Sequence, residues 1–164
     1  MKAKKGFTLV EILIVVVILG ILAAIVIPQF TDASTEAKEA SLKSTLQTVR
    51  SQIEFYKIQH NDSFPDSNSL AEFTACLTGY TNQDGTKVAF DAEGALGPYL
   101  QAMPKNPWIT GATADDVTFV TTDPAAGDSS ATAPGWYFNT DTGKFGANDS
   151  KVCDDADSTP HAAL

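Results

Sequence analysis

From Phe7 to Ile27 the chain reads FTLVEILIVVVILGILAAIVI, 21 residues with one charge, Glu11. As a helix rising about 1.5 Å per residue, such a run is roughly 30 Å long, the thickness of one hydrocarbon core. Lys2, Lys4 and Lys5 precede it with no acid among them. Positive flanks stay cytoplasmic, so everything after the run is expected on the other side of the membrane. The segment does not read as an ordinary signal peptide. It is longer than an h-region, no small-x-small cleavage site follows it, and it ends at Pro28-Gln29-Phe30. Glu11, four residues into the run, costs a few kcal/mol on insertion, so it calls for a partner. The competing reading is a signal-anchor helix that tolerates an interfacial acid. Gly20 lowers helix propensity and Pro28 removes an i→i−4 hydrogen bond in the second half of the segment.

Residues 31–62 read as the amphipathic half of the same helix. Leu42, Leu46, Val49, Ile53 and Tyr56 recur at spacings of three and four, and Glu36, Lys38, Glu39, Lys43 and Arg50 supply the wet side. Asn61-Asp62 and Pro65 end it. The stripe is too short to stand alone as a coiled coil, so it is expected to carry a globular head, residues 63–164. That head reads as α+β. Ser69 to Leu77 has a Ser cap and a short helix, and Val117 to Thr122 alternates like a strand. Gly135–Asn139 and Lys144–Ala147 flank Thr140-Asp141-Thr142-Gly143 as a hairpin. Asp123 to Pro134 reads as a loop, and Asp154 to Leu164 as a frayed polar tail.

The balance of 20 Asp+Glu against 11 Lys+Arg argues against bulk nucleic-acid binding. Nothing resembles a catalytic nucleophile site, so the chain is not read as an enzyme. His60 and His161 are expected in solvent, and Trp108 and Trp136 in the core or at subunit contacts. Cys76 and Cys153 lack metal-type spacing; in an exported head they read as a disulfide, the alternative being two separate thiols.

Lys4-Lys5-Gly6-Phe7-Thr8-Leu9-Val10-Glu11, followed by the unbroken apolar run, resembles the processing site of the type IV pilin superfamily, which holds both type IV pilins and the pseudopilins of type II secretion. The resemblance implies a leader of residues 1–6, cleavage between Gly6 and Phe7 by a prepilin peptidase, and methylation of the new Phe7 amine. It implies a transmembrane and assembly helix over residues 7–30, and the type IV pilin fold, a long N-terminal helix packed on a small antiparallel sheet. In a self-assembled filament the Phe7 ammonium of one subunit would meet the Glu11 carboxylate of another, a register device because an unpaired buried charge is costly. Gly20 and Pro28 would mark a stretch able to melt as the subunit leaves the lipid, or a simple kink.

Gly97-Pro98-Tyr99-Leu100, then Pro104 and Pro107-Trp108, together with Trp136-Tyr137-x-Asn139, are similar to G-type major pseudopilins, although Asn106 stands where that group often has Asp. The resemblance therefore points first to a type II secretion pseudopilin, with a surface type IV pilin as the alternative. Expected partners are other copies of the chain, the peptidase, an inner-membrane assembly platform and the membrane itself. The subunit would sit as a single-pass inner-membrane protein before joining a periplasmic or extracellular filament. The group also binds Ca²⁺ near its C-terminal strands. Asp123, Asp128, Asp141 and Asp149 are the acids here that could supply oxygen ligands, the alternative being a solvated acidic face.

Overall fold

The structure is a computed structural model describing residues 6–90, 92–124, 133–149 and 160–164. Two compact units divide the chain, Met1–Ala37 and Lys38–Leu164. One helix, α1, runs Leu9–Gln59 and contributes to both. In the first unit every large apolar side chain from Phe7 to Phe30 is exposed. The helix is long and apolar enough to cross a membrane by length and composition. It continues through Gly20 and Pro28 without interruption.

The second unit holds the expected α+β head. Leu42, Leu46, Val49, Ile53 and Tyr56, the stripe read from the sequence, are the buried apolar residues of α1. They share one core with Phe73, Cys76 and Leu77 of α2 (Leu70–Thr78) and with Trp136, Phe138, Phe145 and Ala147 of the sheet. Each of the buried Leu, Ile, Val and Phe side chains contributes about 1.5–3 kcal/mol by leaving water. α1 stops where Asn61 and Asp62 take positive φ (53° and 62°) and the Asp62 amide donates back to Lys57 O at 3.0 Å, a Schellman-type ending. α2 begins at Ser69, whose hydroxyl accepts from Glu72 N at 3.2 Å.

Five short strands follow among the described residues. β1 (Tyr80–Thr81) and β2 (Lys87–Val88) pair antiparallel. Sequence reading missed this pair, although Asp84-Gly85 marks its turn and Gly85 has φ +85°. β3 (Val117–Val120), β4 (Trp136–Asn139) and β5 (Phe145–Ala147) form a second sheet in that order. β4 and β5 make the expected antiparallel hairpin, while β3 lies parallel to β4, in register Val117 to Trp136. The stretch between β3 and β4 is long enough to return the chain to the same end of the sheet, which parallel pairing requires. All four residues of β4 are buried, because α1 and α2 cover one face and a 3-10 turn, His161–Ala163, packs by the other.

Candidate functional site

The start of α1 is built by its own sequence. Thr8 is the N-cap: its hydroxyl accepts from Glu11 N at 3.2 Å. The Glu11 carboxylate answers, its Oε2 accepting from Thr8 N and Thr8 Oγ1, both at 2.8 Å. This is a capping box, Thr-x-x-Glu, with the acid also favoured at the positive end of the helix. It supplies Glu11 with a partner inside its own chain, which the sequence reading did not foresee although the spacing was visible. Only Oε2 is engaged; no hydrogen bond to Oε1 is made among the described residues. Gly6 and Phe7 lie exposed just before the box. Among the described residues, one carboxylate oxygen is thus free at the start of the exposed apolar stretch, four residues from Phe7.

Further along, Thr31 and Thr35 hydroxyls donate to Ile27 O and Thr31 O, at 3.2 and 3.1 Å, bracing the turns after Pro28. A Cβ placed on Gly20 would meet nothing within 4 Å, so its surface is open to a neighbouring helix.

The acids expected to gather near the C-terminal strands are used separately. Asp123 accepts from Asn139 Nδ2 at 2.6 Å and lies 3.2 Å from Lys144 Nζ. The Asn139 hydrogen bond, with Lys144 beside it, holds the Asp123 carboxyl below the usual carboxylate range. Asp149 is buried and accepts from Asn106 Nδ2 at 2.8 Å and from His161 Nδ1 at 2.7 Å. Asp141 is exposed in the hairpin turn, and Asp128 lies outside the described residues. Among the described residues no group of three or more His, Cys, Asp or Glu could hold a metal ion. Cys76 is buried in the core; Cys153 lies outside the described residues.

Both histidines are corrected by the structure. His60 is buried, its ring stacked 3.7 Å from that of Tyr56, with Nδ1 at 2.8 Å from Tyr56 O and Nε2 at 2.8 Å from Thr81 Oγ1. His60 is the last residue before the left-handed Asn61-Asp62 turn, and Tyr56, Tyr99 and Thr81 of β1 surround its ring. His161 is buried through Asp149 and lies 5.2 Å from the Trp108 ring centre. The described part of the tail is therefore tied down. Tyr137 OH donates to Ala162 O at 2.8 Å, and Arg50 donates to Phe145 O at 2.7 Å and to Leu164 O at 2.5 Å. Burial pushes the Tyr137 phenol up. Trp136 is fully buried, with Nε1 donating to Pro104 O at 2.7 Å, and Trp108 is half-buried. Asn106 earns its buried place by bonding Gly135 O and Asp149 through Nδ2 and the Trp108 amide through Oδ1.

Residues 1–27 match the prokaryotic N-terminal methylation motif. The type II secretion system core protein G of Pseudomonas aeruginosa is 34% identical over 107 residues, 65% of this chain and 70% of that protein. Its Vibrio cholerae counterpart is 31% identical over 108 residues, 66% of this chain and 68% of that protein. The type IV narrow pilus major component of Thermus thermophilus is 51% identical over only 47 residues, 29% of this chain and 40% of that protein. No solved structure matches the chain.

Proposed function

Because the chain belongs to the type II secretion system core protein G family, we propose that it is a pseudopilin: a structural subunit cut between Gly6 and Phe7 by prepilin peptidase, methylated on the Phe7 amine, and polymerised through α1. Before assembly α1 spans the inner membrane, with the leader in the cytoplasm and the head outside it, and an inner-membrane platform adds the subunit to the growing filament. The surface-pilus alternative has no comparable support, since the pilus relative matches over 47 residues against 107 for core protein G.

The observation that carries this reading is Glu11 Oε1, without a hydrogen bond among the described residues, at the start of an apolar stretch whose large side chains are all uncovered from Phe7 to Phe30. Cleavage creates an ammonium at Phe7. Brought among the helices of neighbouring subunits, that ammonium needs a counter-ion, and Glu11 Oε1 of a neighbour provides one. A subunit docked out of step leaves a charge buried alone, at a cost of about 3–5 kcal/mol.

Glu11→Gln tests the charge and spares the helix start, because Gln also closes a capping box. The variant should be processed and should accumulate in the membrane, while sheared-filament yield collapses. Normal filament yield from processed Glu11→Gln subunits refutes the pairing. N-terminal mass spectrometry of the same samples reads the cleavage, and a mature chain that does not begin at methylated Phe7 refutes the processing.

A further inference from the structure

The head carries two complementary features at its opposite ends. At the end where α1 finishes, Ile58 is 74% exposed. It lines a recess of about 520 Å³ with Gln59, Asn82, Gln83, Glu93 and Leu96. Glu93 is exposed at this recess, and exposed Glu54 lies one helical turn before Ile58. Ile58 and Leu96 give this recess an apolar wall beside an exposed acid, a surface that the stem and ammonium of a lysine can cover together.

At the other end, Lys38 Nζ lies 5.4 Å from the centre of the Trp108 ring, placing the Pro104–Trp108 segment beside the start of the head-borne half of α1. Roughly 30 Å of helix separates Lys38 from Ile58. The segment is firmly anchored, by Pro104 O to Trp136 and by the buried Asn106 side chain, yet Lys105 between them is exposed. Lys105 also stands apart from the other described cations of the head. Lys87 pairs with Glu72 and Lys144 with Asp123. Lys38 and Lys57 lie over aromatic rings, Arg50 is bound to main-chain oxygens, and Lys43 is engaged.

We propose that the Lys105 segment of one copy docks into the Ile58–Glu93 recess of a second copy. The Lys105 stem covers Ile58 and Leu96 while its ammonium reaches Glu93. The chain is acidic, 20 Asp+Glu against 11 Lys+Arg, and loses Lys2, Lys4 and Lys5 with the leader, so its copies repel one another and a contact between them has to set its scarce cations against its acids. The placement of the patches decides the kind of assembly. Two different surfaces at opposite ends make a heterologous contact that repeats without closing, as an open filament requires; a self-complementary patch would stop at a dimer. This contact rests on the filament reading and adds to it a bond between heads.

Charge reversal in the full chain, expressed with its secretion apparatus, tests the contact. Lys105→Glu and Glu93→Lys should each lower sheared-filament yield about fivefold at unchanged membrane level, and the double reversal should recover it. Should a reversal lower the membrane level, Lys105→Gln and Glu93→Gln read the same contact, the double variant losing no more than either single one. Singles that assemble like wild type, or doubles that fail to recover, overturn the contact and leave the filament reading standing. A wild-type chain that forms no filament overturns both.

Discussion

Replacing Asp149 with alanine removes the acceptor of two buried donors at once. The carboxylate takes His161 Nδ1–H at 2.7 Å and Asn106 Nδ2 at 2.8 Å, and all three side chains are buried. Asn106 keeps Gly135 O as an acceptor for the same nitrogen, so most of the loss falls on His161. A hydrogen bond to a charged group contributes about 1.5–3 kcal/mol, and leaving its buried donor without an acceptor costs about 1–3 kcal/mol. Taking about 3 kcal/mol, the melting temperature should fall by about 10 °C. Lys144→Ala is the control: it removes only the pair with Asp123, in which both side chains are about a third exposed, and an exposed pair is worth less than about 1 kcal/mol. The assay is near-UV circular dichroism of the full chain in detergent at neutral pH, heated in parallel for wild type and both variants. Asp149→Asn should fall between, because its carbonyl oxygen still accepts from His161 while its amide faces that of Asn106. Equal shifts for Asp149→Ala and Lys144→Ala, or a change of less than about 2 °C for the former, would refute the reasoning that the buried Asp149–His161 contact clamps the last described residues to the sheet.

Gly146→Ala should destabilise the head by about 1–3 kcal/mol in the same melt, because the new Cβ would stand 2.3 Å from the Tyr137 ring. Asn139 and Lys144 hold the Asp123 carboxyl below its ordinary range, so its stabilisation is complete above about pH 4 and is lost as pH falls through the lowered value. Asp123→Asn should accordingly be less stable than wild type at neutral pH and converge with it in acid, as read by unfolding midpoints across pH. If Cys76 and Cys153 are joined, thiol labelling of unfolded, unreduced protein should find no free thiol, and reduction should cost about 4 kcal/mol of stability; two reactive thiols rule the bridge out.

What was legible in the sequence was local. The apolar run, the period of Leu42 to Tyr56, the Ser69 cap and the β4–β5 hairpin all rest on residues within a few positions of one another, where helix and strand geometry repeat. The Thr8–Glu11 box is equally local, its Thr-x-x-Glu spacing lying within one helical turn. The rest needed segments far apart in the chain to meet. His60 and His161 read as solvated because polar residues at a helix end and in a tail usually are; Thr81 and Asp149 bury them. Arg50 belongs to the wet side of its helix by period, yet it bonds Phe145 O and Leu164 O across the fold. The parallel placement of β3 against β4 is likewise invisible in either strand, since each alternates the same way whichever direction its neighbour runs. Periodicity records which face of an element is apolar; which distant group covers that face, and which buried donor meets which acceptor, is decided only when the core closes and each polar group left inside must find a partner.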